Sequence, residues 1–290
     1  MTLKEIAEET LMIVKQGYYI FPGELLEEAQ KVSEKRIDIS EGMKQSVDKS
    51  LLITPAQGEE LLEKYEAKCK SPCTSELIKK KTAVANLATV AAIRKLHQEG
   101  KDKIGVLNFA SAKNPGGGFL NGAMAQEESL ATSSTLYRSL VRHEEYYREN
   151  RAQKSMMYTN YGIYTPEVMF FRDEKFHLVE EPVKASVLTL PAVNMNQVLI
   201  KGESKELAET VMRRRMKLAL CIFAEQGAKH LVLGAYGCGV FGNDPCKVAM
   251  WWRELLEEGL GDCFDSIFHA VLSRTGGKTI QAFEEALMER

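Results

Sequence analysis

Long apolar runs are missing from the sequence: no stretch approaches the roughly 20 consecutive apolar residues that a membrane span needs. The first nine residues, Met1 to Glu9, also lack the basic segment followed by an apolar one that marks an export signal. These two absences predict a cytoplasmic protein without a membrane partner.

An excess of charge of either sign is missing as well. Lys and Arg number 38 against 40 for Asp and Glu, which leaves a formal net charge of −2. So small a net charge argues against a long electrostatic groove, and we expect no direct binding of nucleic acid. With 44% hydrophobic and 27% charged residues the composition is that of a globular protein, which excludes a disordered chain, a collagen and a coiled-coil rod.

Cysteine pairs of the kind that hold zinc are absent. No C-x-x-C hook occurs, and the five histidines are dispersed without the spacing of metal ligands. We therefore expect no metal site and no cofactor, and we interpret the cysteines as free thiols in a reducing compartment. The cysteines are Cys69, Cys73, Cys221, Cys238, Cys246 and Cys263.

The chain divides into two segments that differ in composition and in the spacing of their apolar residues. Residues 1–73 are rich in Glu and Lys with apolar residues at helical spacing, which predicts a helical N-terminal extension packed on the core. In residues 74–290, strand candidates alternate with helical patterns, which predicts a layered α/β domain with helices on both faces of a sheet. The aromatic-rich segment 144–182 suggests either a hairpin or an excursion beside the site. The expected strands are 50–54, 104–109, 185–190, 230–236 and 265–272. The expected helices are 3–16, 23–29, 59–68, 82–97, 126–143, 203–226, 244–258 and 278–288.

The first glycine-rich loop follows the strand candidate 104–109 and contains Gly116, Gly117 and Gly118. Three successive glycines allow a ligand to approach the backbone more closely than any Cβ atom permits, although a flexible turn is the alternative. Gln126, Glu127 and Glu128 follow where a helix is expected to begin. Acidic residues are common in a first helical turn for reasons of the helix dipole alone, so this triplet means little by itself.

The second glycine-rich loop, residues 234–245, follows an apolar strand and opens a helix, with Asn243 or Asp244 as N-cap and Pro245 in the first turn. Such a junction is suited to phosphate because its amides point outward. Residues 237–242 match G-x-G-x-x-G, but a dinucleotide-binding Rossmann fold is disfavoured because the match lies late in the chain and leaves the first loop unexplained. Two loops after two strands of one sheet indicate a diphosphate ligand lying across the carboxyl ends of those strands.

The two loops resemble a known family. Gly116-Gly117-Gly118, seven further residues and then Gln126-Glu127-Glu128 is similar to the signature of the poly(ADP-ribose) glycohydrolases, in particular the microbial type. The string Gly237-Cys238-Gly239-Val240-Phe241 resembles the diphosphate-binding loop of that family. The resemblance implies a macrodomain-like three-layer α/β/α fold with a mixed sheet. It also implies an exo-acting hydrolase that cleaves the ribose–ribose O-glycosidic bond of poly(ADP-ribose) to release ADP-ribose.

The resemblance also implies roles for the site residues. Glu128 is expected to be the catalytic acid, which protonates the departing ribose oxygen and then activates water, and Glu127 to position the ribose beside it. Implied substrate contacts come from Gly116, Gly117, Gly118, Asn114 and Gln126 in the first loop, and from Gly237, Cys238, Gly239, Val240 and Phe241 in the second. The implied partners are poly(ADP-ribose), ADP-ribose and ADP-ribosylated proteins.

Several alternatives remain open at the level of the sequence. Neighbouring helical side chains diverge by about 100°, so Glu127 and Glu128 are not expected to face each other across the bond as the two carboxylates of most glycosidases do. We expect Cys238 to matter through its backbone and not as a thiolate, because no histidine lies nearby in sequence. An ADP-ribose-binding macrodomain without catalysis and a hydrolase of another ADP-ribosyl linkage are the competing functions.

Overall fold

A seven-stranded mixed β-sheet forms the centre of the protein. The computed structural model describes residues 1–26, 31–69, 71–273 and 277–288. The strands are β1 Tyr18–Leu26, β2 Lys31–Asp38, β3 Leu51–Ile53, β4 Thr82–Ala85, β5 Ile104–Ala110, β6 Gly162–Arg172, β7 Leu178–Pro191, β8 His230–Leu233 and β9 Ser266–Ala270. The central sheet has the order β3-β6-β7-β5-β8-β9-β4, and β1 and β2 form a separate antiparallel hairpin.

Helices cover both faces of this sheet. The helices are α1 Leu3–Gln16, α2 Ser40–Asp48, α3 Pro55–Lys68, α4 Ser75–Lys81, α5 Thr89–Gln98, α6 Gln126–Ser133, α7 Leu136–Arg142, α8 Glu144–Ala152, α9 Met195–Ile200, α10 Lys205–Glu225, α11 Pro245–Glu257 and α12 Lys278–Leu287, with 3-10 turns at Phe119–Asn121 and Leu260–Cys263. Strands β7, β5, β8, β9 and β4 are parallel to one another, whereas β3, β6 and β7 pair antiparallel. The carboxyl ends of the parallel strands therefore meet at one edge.

Alternation along the central strands separates two hydrophobic cores. Leu107 of β5 and Leu231 of β8 belong to the core beneath α10 and α11, whereas Val106 and Val232 belong to the core beneath α5 and α7. Successive residues of a strand point to opposite faces, and both faces of this sheet are buried, so the central strands are almost continuously apolar. The expected three-layer α/β/α arrangement is confirmed.

Several expected elements differ from those of the structure. The expected helix 23–29 is wrong where the structure describes it, because β1 continues to Leu26, and residues 27–30 lie outside the described residues. The expected helix 82–97 is the short strand β4 followed by α5, and the expected helix 126–143 is interrupted at Ser134. Of the two alternatives for 144–182, the hairpin is confirmed by the antiparallel pairing of β6 with β7, but the segment begins with helix α8.

The N-terminal segment is less helical than its sequence suggests. Besides α1, α2 and α3 it contains the β1–β2 hairpin, and β3 pairs with β6 at the edge of the central sheet. A division of the chain at residue 73 stays a prediction, and the edge strand of the sheet lies on its N-terminal side. Across the described ranges, no helix combines the length and the apolar character needed to cross a bilayer.

Candidate active site

A cavity of about 1000 Å³ opens where β5, β8 and β9 end. Both glycine-rich loops and the first turn of α6 line it, as expected for a ligand bound at the carboxyl ends of parallel strands. The predicted site residues in its wall are Asn114, Gly117, Gly118, Gln126, Glu127, Glu128, Gly237, Cys238, Gly239, Val240 and Phe241. Gly116 lies behind the wall, where an added Cβ atom would be 3.1 Å from the ring of Tyr137.

The side chain of Gln126 fixes the start of α6 to strand β5. Its Oε1 accepts a hydrogen bond from the N–H group of Phe109 at 2.9 Å, and its Nε2 donates to the carbonyl of Leu107 at 2.8 Å. The side-chain amide of Gln126 thus pairs with the backbone of β5 as a neighbouring strand would, and both of its polar atoms are hydrogen-bonded. Gln126 therefore sets the position of the two glutamates that follow it.

Glu127 is a buried carboxyl group, with 3% of its surface exposed. Its Oε1 accepts from Nδ2 of Asn108 at 3.2 Å, and its Oε2 accepts from the N–H group of Ser111 at 2.6 Å. Burial raises the pKa of Glu127 to about 8, because desolvation outweighs the hydrogen bonds that favour the charged form. Near neutral pH most of this carboxyl group is protonated.

Glu128 is only partly buried and reaches into the cavity. Its Oε1 accepts a hydrogen bond from the N–H group of Gly118 at 2.8 Å. Gly117 has a φ of +62°, and a Cβ atom on it would collide with the same carboxylate oxygen. The first glycine loop therefore wraps around the Glu128 carboxylate at a distance that no side chain permits.

Two asparagine side chains hold the second glycine loop in position through hydrogen bonds to backbone carbonyls. The Nδ2 atom of Asn243 donates to the carbonyls of Val193 at 2.8 Å and Gly237 at 3.0 Å. Asn196 donates through Nδ2 to the carbonyl of Val240 at 2.9 Å. The contacts with Val193 and Asn196 attach the second loop to residues outside it, and neither contact involves the first loop.

Three successive N–H groups of the second loop are free. Within the described part of the chain, those of Gly239, Val240 and Phe241 donate to no protein acceptor, and the space around Gly239 is open. Asp244 is the N-cap of α11 and accepts from the N–H group of Cys246 at 2.9 Å. The loop amides are therefore donors that an anionic ligand would find unpaired.

Cys238 is a poor nucleophile. Burial raises the pKa of its thiol to about 12, so the thiol stays protonated at neutral pH. Its Sγ lies 3.7 Å from the carbonyl of Tyr236. These observations support the expectation that this residue matters through its backbone.

Two residues near the site have contacts that no local sequence pattern indicates. Tyr158 packs on Phe241 with ring centroids 6.2 Å apart. Arg215 stands in a run of three arginines on α10, yet it is 1% exposed and donates to the carbonyls of Met157 at 2.8 Å and Pro191 at 2.9 Å. Wall residues that sequence reasoning missed, and for which the sequence carries no local signal, include Phe109, Tyr137, Glu174, Leu272 and Thr279.

A mixed sheet between two layers of helices, with a carboxylate and unpaired loop amides lining one cavity, defines a macrodomain-like protein. A family model described as the microbial-type PARG catalytic domain matches residues 7–173, more than half of the chain. The chain belongs to this family of poly(ADP-ribose) glycohydrolases and is a glycosidase.

Solved structures give the same relationship. The poly(ADP-ribose) glycohydrolase of Thermomonospora curvata bound to the inhibitor ADP-HPD is 35% identical, with a TM-score of 0.85 and 98% of each chain covered. The enzyme of Deinococcus radiodurans in complex with ADP-ribose is 40% identical over 85% of this chain and 97% of its own, with a TM-score of 0.77. No protein with a curated description matches the chain.

Proposed function

We propose that this poly(ADP-ribose) glycohydrolase holds the terminal ADP-ribose unit of the polymer across the cavity and cleaves its ribose–ribose bond with Glu128. One observation carries the proposal. The Glu128 carboxylate, fixed by the N–H group of Gly118, shares a cavity with the three free N–H groups of the second loop. A nucleotide whose diphosphate lies on those amides reaches the carboxylate with its distal ribose.

The diphosphate is bound by dipoles in this proposal. The described lining residues of the cavity include neither Lys nor Arg. Successive amide N–H groups at Gly239, Val240 and Phe241 form a concave donor set suited to phosphate oxygens. We propose that the ring of Phe241 packs on the distal ribose and that Asn114 contributes a further ribose contact from the first loop.

Glu128 performs the proton transfers. In its protonated form it donates to the departing ribose 2′-oxygen as the bond to the anomeric carbon breaks, which leaves an oxocarbenium-like centre. A water molecule then adds to that carbon and gives its proton to Glu128, which restores the starting state. The products are free ADP-ribose and a polymer one unit shorter, so the cleavage is exo-acting.

Glu127 positions the ribose in this scheme without a second negative charge. A carboxyl group with a pKa of about 8 is largely neutral near pH 7 and is able to donate a hydrogen bond to a sugar hydroxyl. Its neutrality also avoids repulsion between two adjacent carboxylates and a diphosphate. Gln126 contributes by fixing the start of α6, since both of its polar atoms bind strand β5.

The physiological substrate in this proposal is poly(ADP-ribose) attached to proteins in the cytoplasm. We also propose that residues 74–290 form the catalytic domain and that residues 1–73 are an extension packed on it. The pairing of β3 with β6 and the packing of α1 against α6 support a single folded unit in which the extension takes part.

The variant Glu128→Gln tests the assignment. It keeps the shape of the side chain but removes the acid, so we expect ADP-ribose affinity to stay within about threefold while kcat falls by roughly 100- to 10,000-fold. The matched control is Glu144→Gln, the same substitution at an exposed site of α8. Near-normal release of ADP-ribose by Glu128→Gln refutes the role.

A comparison of substrates separates the competing functions. The wild-type protein is incubated with automodified polymer and, separately, with protein that carries single ADP-ribose units. Release from the polymer alone, with the last protein-linked unit retained, supports the proposal. Release of the single unit instead indicates another ADP-ribosyl linkage, and tight binding without release indicates a binding module.

A further inference from the structure

The catalytic helix α6 is too short to be rigid alone. It has eight residues, and the last carbonyls of any helix lack partners within it. Its N-terminal end is fixed to β5 by Gln126. Near its C-terminal end the carbonyl of Thr132 accepts a buried hydrogen bond of 2.7 Å from the hydroxyl of Thr10 on α1.

The hydroxyl of Thr10 is itself held by a buried arginine. Arg172, 3% exposed, donates from Nε to Thr10 Oγ1 at 3.1 Å, from Nη1 to the carbonyl of Phe176 at 2.8 Å and from Nη2 to Glu9 at 2.6 Å. A buried guanidinium is stable only with such partners, so this set fixes the rotation of α1 against the end of the β6–β7 hairpin. Thr10 is the link between this anchor and α6.

Helix α1 also supports the first glycine loop. The buried Ala7 packs with Phe119 of the 3-10 turn and with Ala131 of α6 in a small apolar cluster. At Gly122, with a φ of +72°, an added Cβ atom would lie 2.9 Å from the backbone nitrogen of Lys4. One helix of the N-terminal segment therefore contacts both elements that hold the Glu128 carboxylate.

We propose that α1 holds the catalytic helix α6 in position and that Thr10 and Arg172 are positioning residues for hydrolysis. They act through α6 and the first loop, and not through the substrate. The diphosphate loop is held separately by Asn196 and Asn243, so loosening α1 lowers turnover and leaves ligand anchoring in place. This inference rests on the proposed role of Glu128.

The variant Thr10→Val tests it, because valine keeps the shape but neither donates to Thr132 nor accepts from Arg172. We expect kcat on the polymer to fall by about tenfold or more, as a small displacement of reacting groups does, with the Kd for ADP-ribose within about threefold. Thr10→Ser keeps the hydroxyl and is expected to restore kcat to within about threefold of wild type. Met12→Gln, at an exposed site of the same helix, is the control and is expected to match wild type.

Two results overturn the inference. One is an unchanged kcat in folded Thr10→Val, and the other is a loss of turnover that Thr10→Ser fails to reverse. If Thr10→Val does not fold, Gly122→Ala takes its place, since its methyl group displaces the loop from Lys4, and the same split between kcat and Kd decides. Glu128→Gln in the same assay separates failure of the proposed function from failure of this inference. If Glu128→Gln stays active, the proposed function is wrong. If Glu128→Gln is inactive and Thr10→Val has a normal kcat, only this inference is wrong.

Discussion

Replacement of Gly117 by alanine isolates the contact between the first glycine loop and the proposed catalytic carboxylate. Gly117 has a φ of +62°, a left-handed conformation that costs another L-residue about 1–2 kcal/mol. Its new methyl group would also overlap Oε1 of Glu128. Hydrogen bonds from the N–H group of Gly117 to the carbonyl of Asn114 and from that of Phe119 to the carbonyl of Gly116 hold the backbone of the turn. We therefore expect the carboxylate to move, and a displacement on the order of 1 Å costs about 100-fold in rate.

The chain provides a matched control in Gly202→Ala. Gly202 has a φ of +69°, and nothing lies within 4 Å of a Cβ atom built on it. Both variants are expected to lose about 1–2 kcal/mol of unfolding free energy in urea, from backbone strain alone. Only Gly117→Ala is expected to lose kcat, measured as initial release of ADP-ribose at saturating polymer. Equal kcat values for the two folded variants would show that the close approach of loop and carboxylate is unimportant.

Two further predictions concern stability and pH. Burial raises the pKa of Glu127 to about 8 from an ordinary 4.5, so the contribution of this one group to stability falls as pH rises between these values. Glu127→Gln does not titrate, so its unfolding free energy in urea should fall less than that of the wild type between about pH 5 and about pH 8, and equal losses contradict this. Burial lowers the pKa of His269 to about 3 from 6.5, so the contribution of this one group to stability is full above about pH 6.5 and falls by about 1.4 kcal/mol per pH unit below it. The variant His269→Phe should flatten that acid limb in urea titrations, and an unchanged slope assigns it to other groups.

Local sequence signals were sufficient for much of the sheet and for both loops. The run at 104–109 is apolar because β5 is buried on both faces, and Pro245 after Asp244 marks the start of α11 as helix chemistry requires. The glycine triplet was informative because only glycine permits the observed approach of Gly117 to Glu128. In these cases the local sequence and the tertiary environment demand the same residue.

The failures arise where tertiary contacts override local pattern. Residues 23–29 have good helix formers, yet β1 reaches Leu26 because it pairs with β2. Thr82–Ala85 runs directly into a helical pattern, and only its pairing with β9 makes it a strand. Arg215 belongs to a charged run on a helix, but distant carbonyls supply the acceptors that allow its burial. Such partners are far away in sequence and leave no periodicity to read.

The distribution of charge in the cavity has a consequence for the proposed mechanism. An arginine or lysine on the diphosphate would cancel part of its negative charge, whereas backbone dipoles stabilise it without adding a positive charge. The described cavity wall has no such side chain, and Glu127 is largely neutral near pH 7. In the proposed complex the diphosphate thus keeps negative charge close to the ribose on which positive charge develops. A second carboxylate opposite Glu128 is then unnecessary, because the substrate itself supplies the anion that stabilises the oxocarbenium-like state.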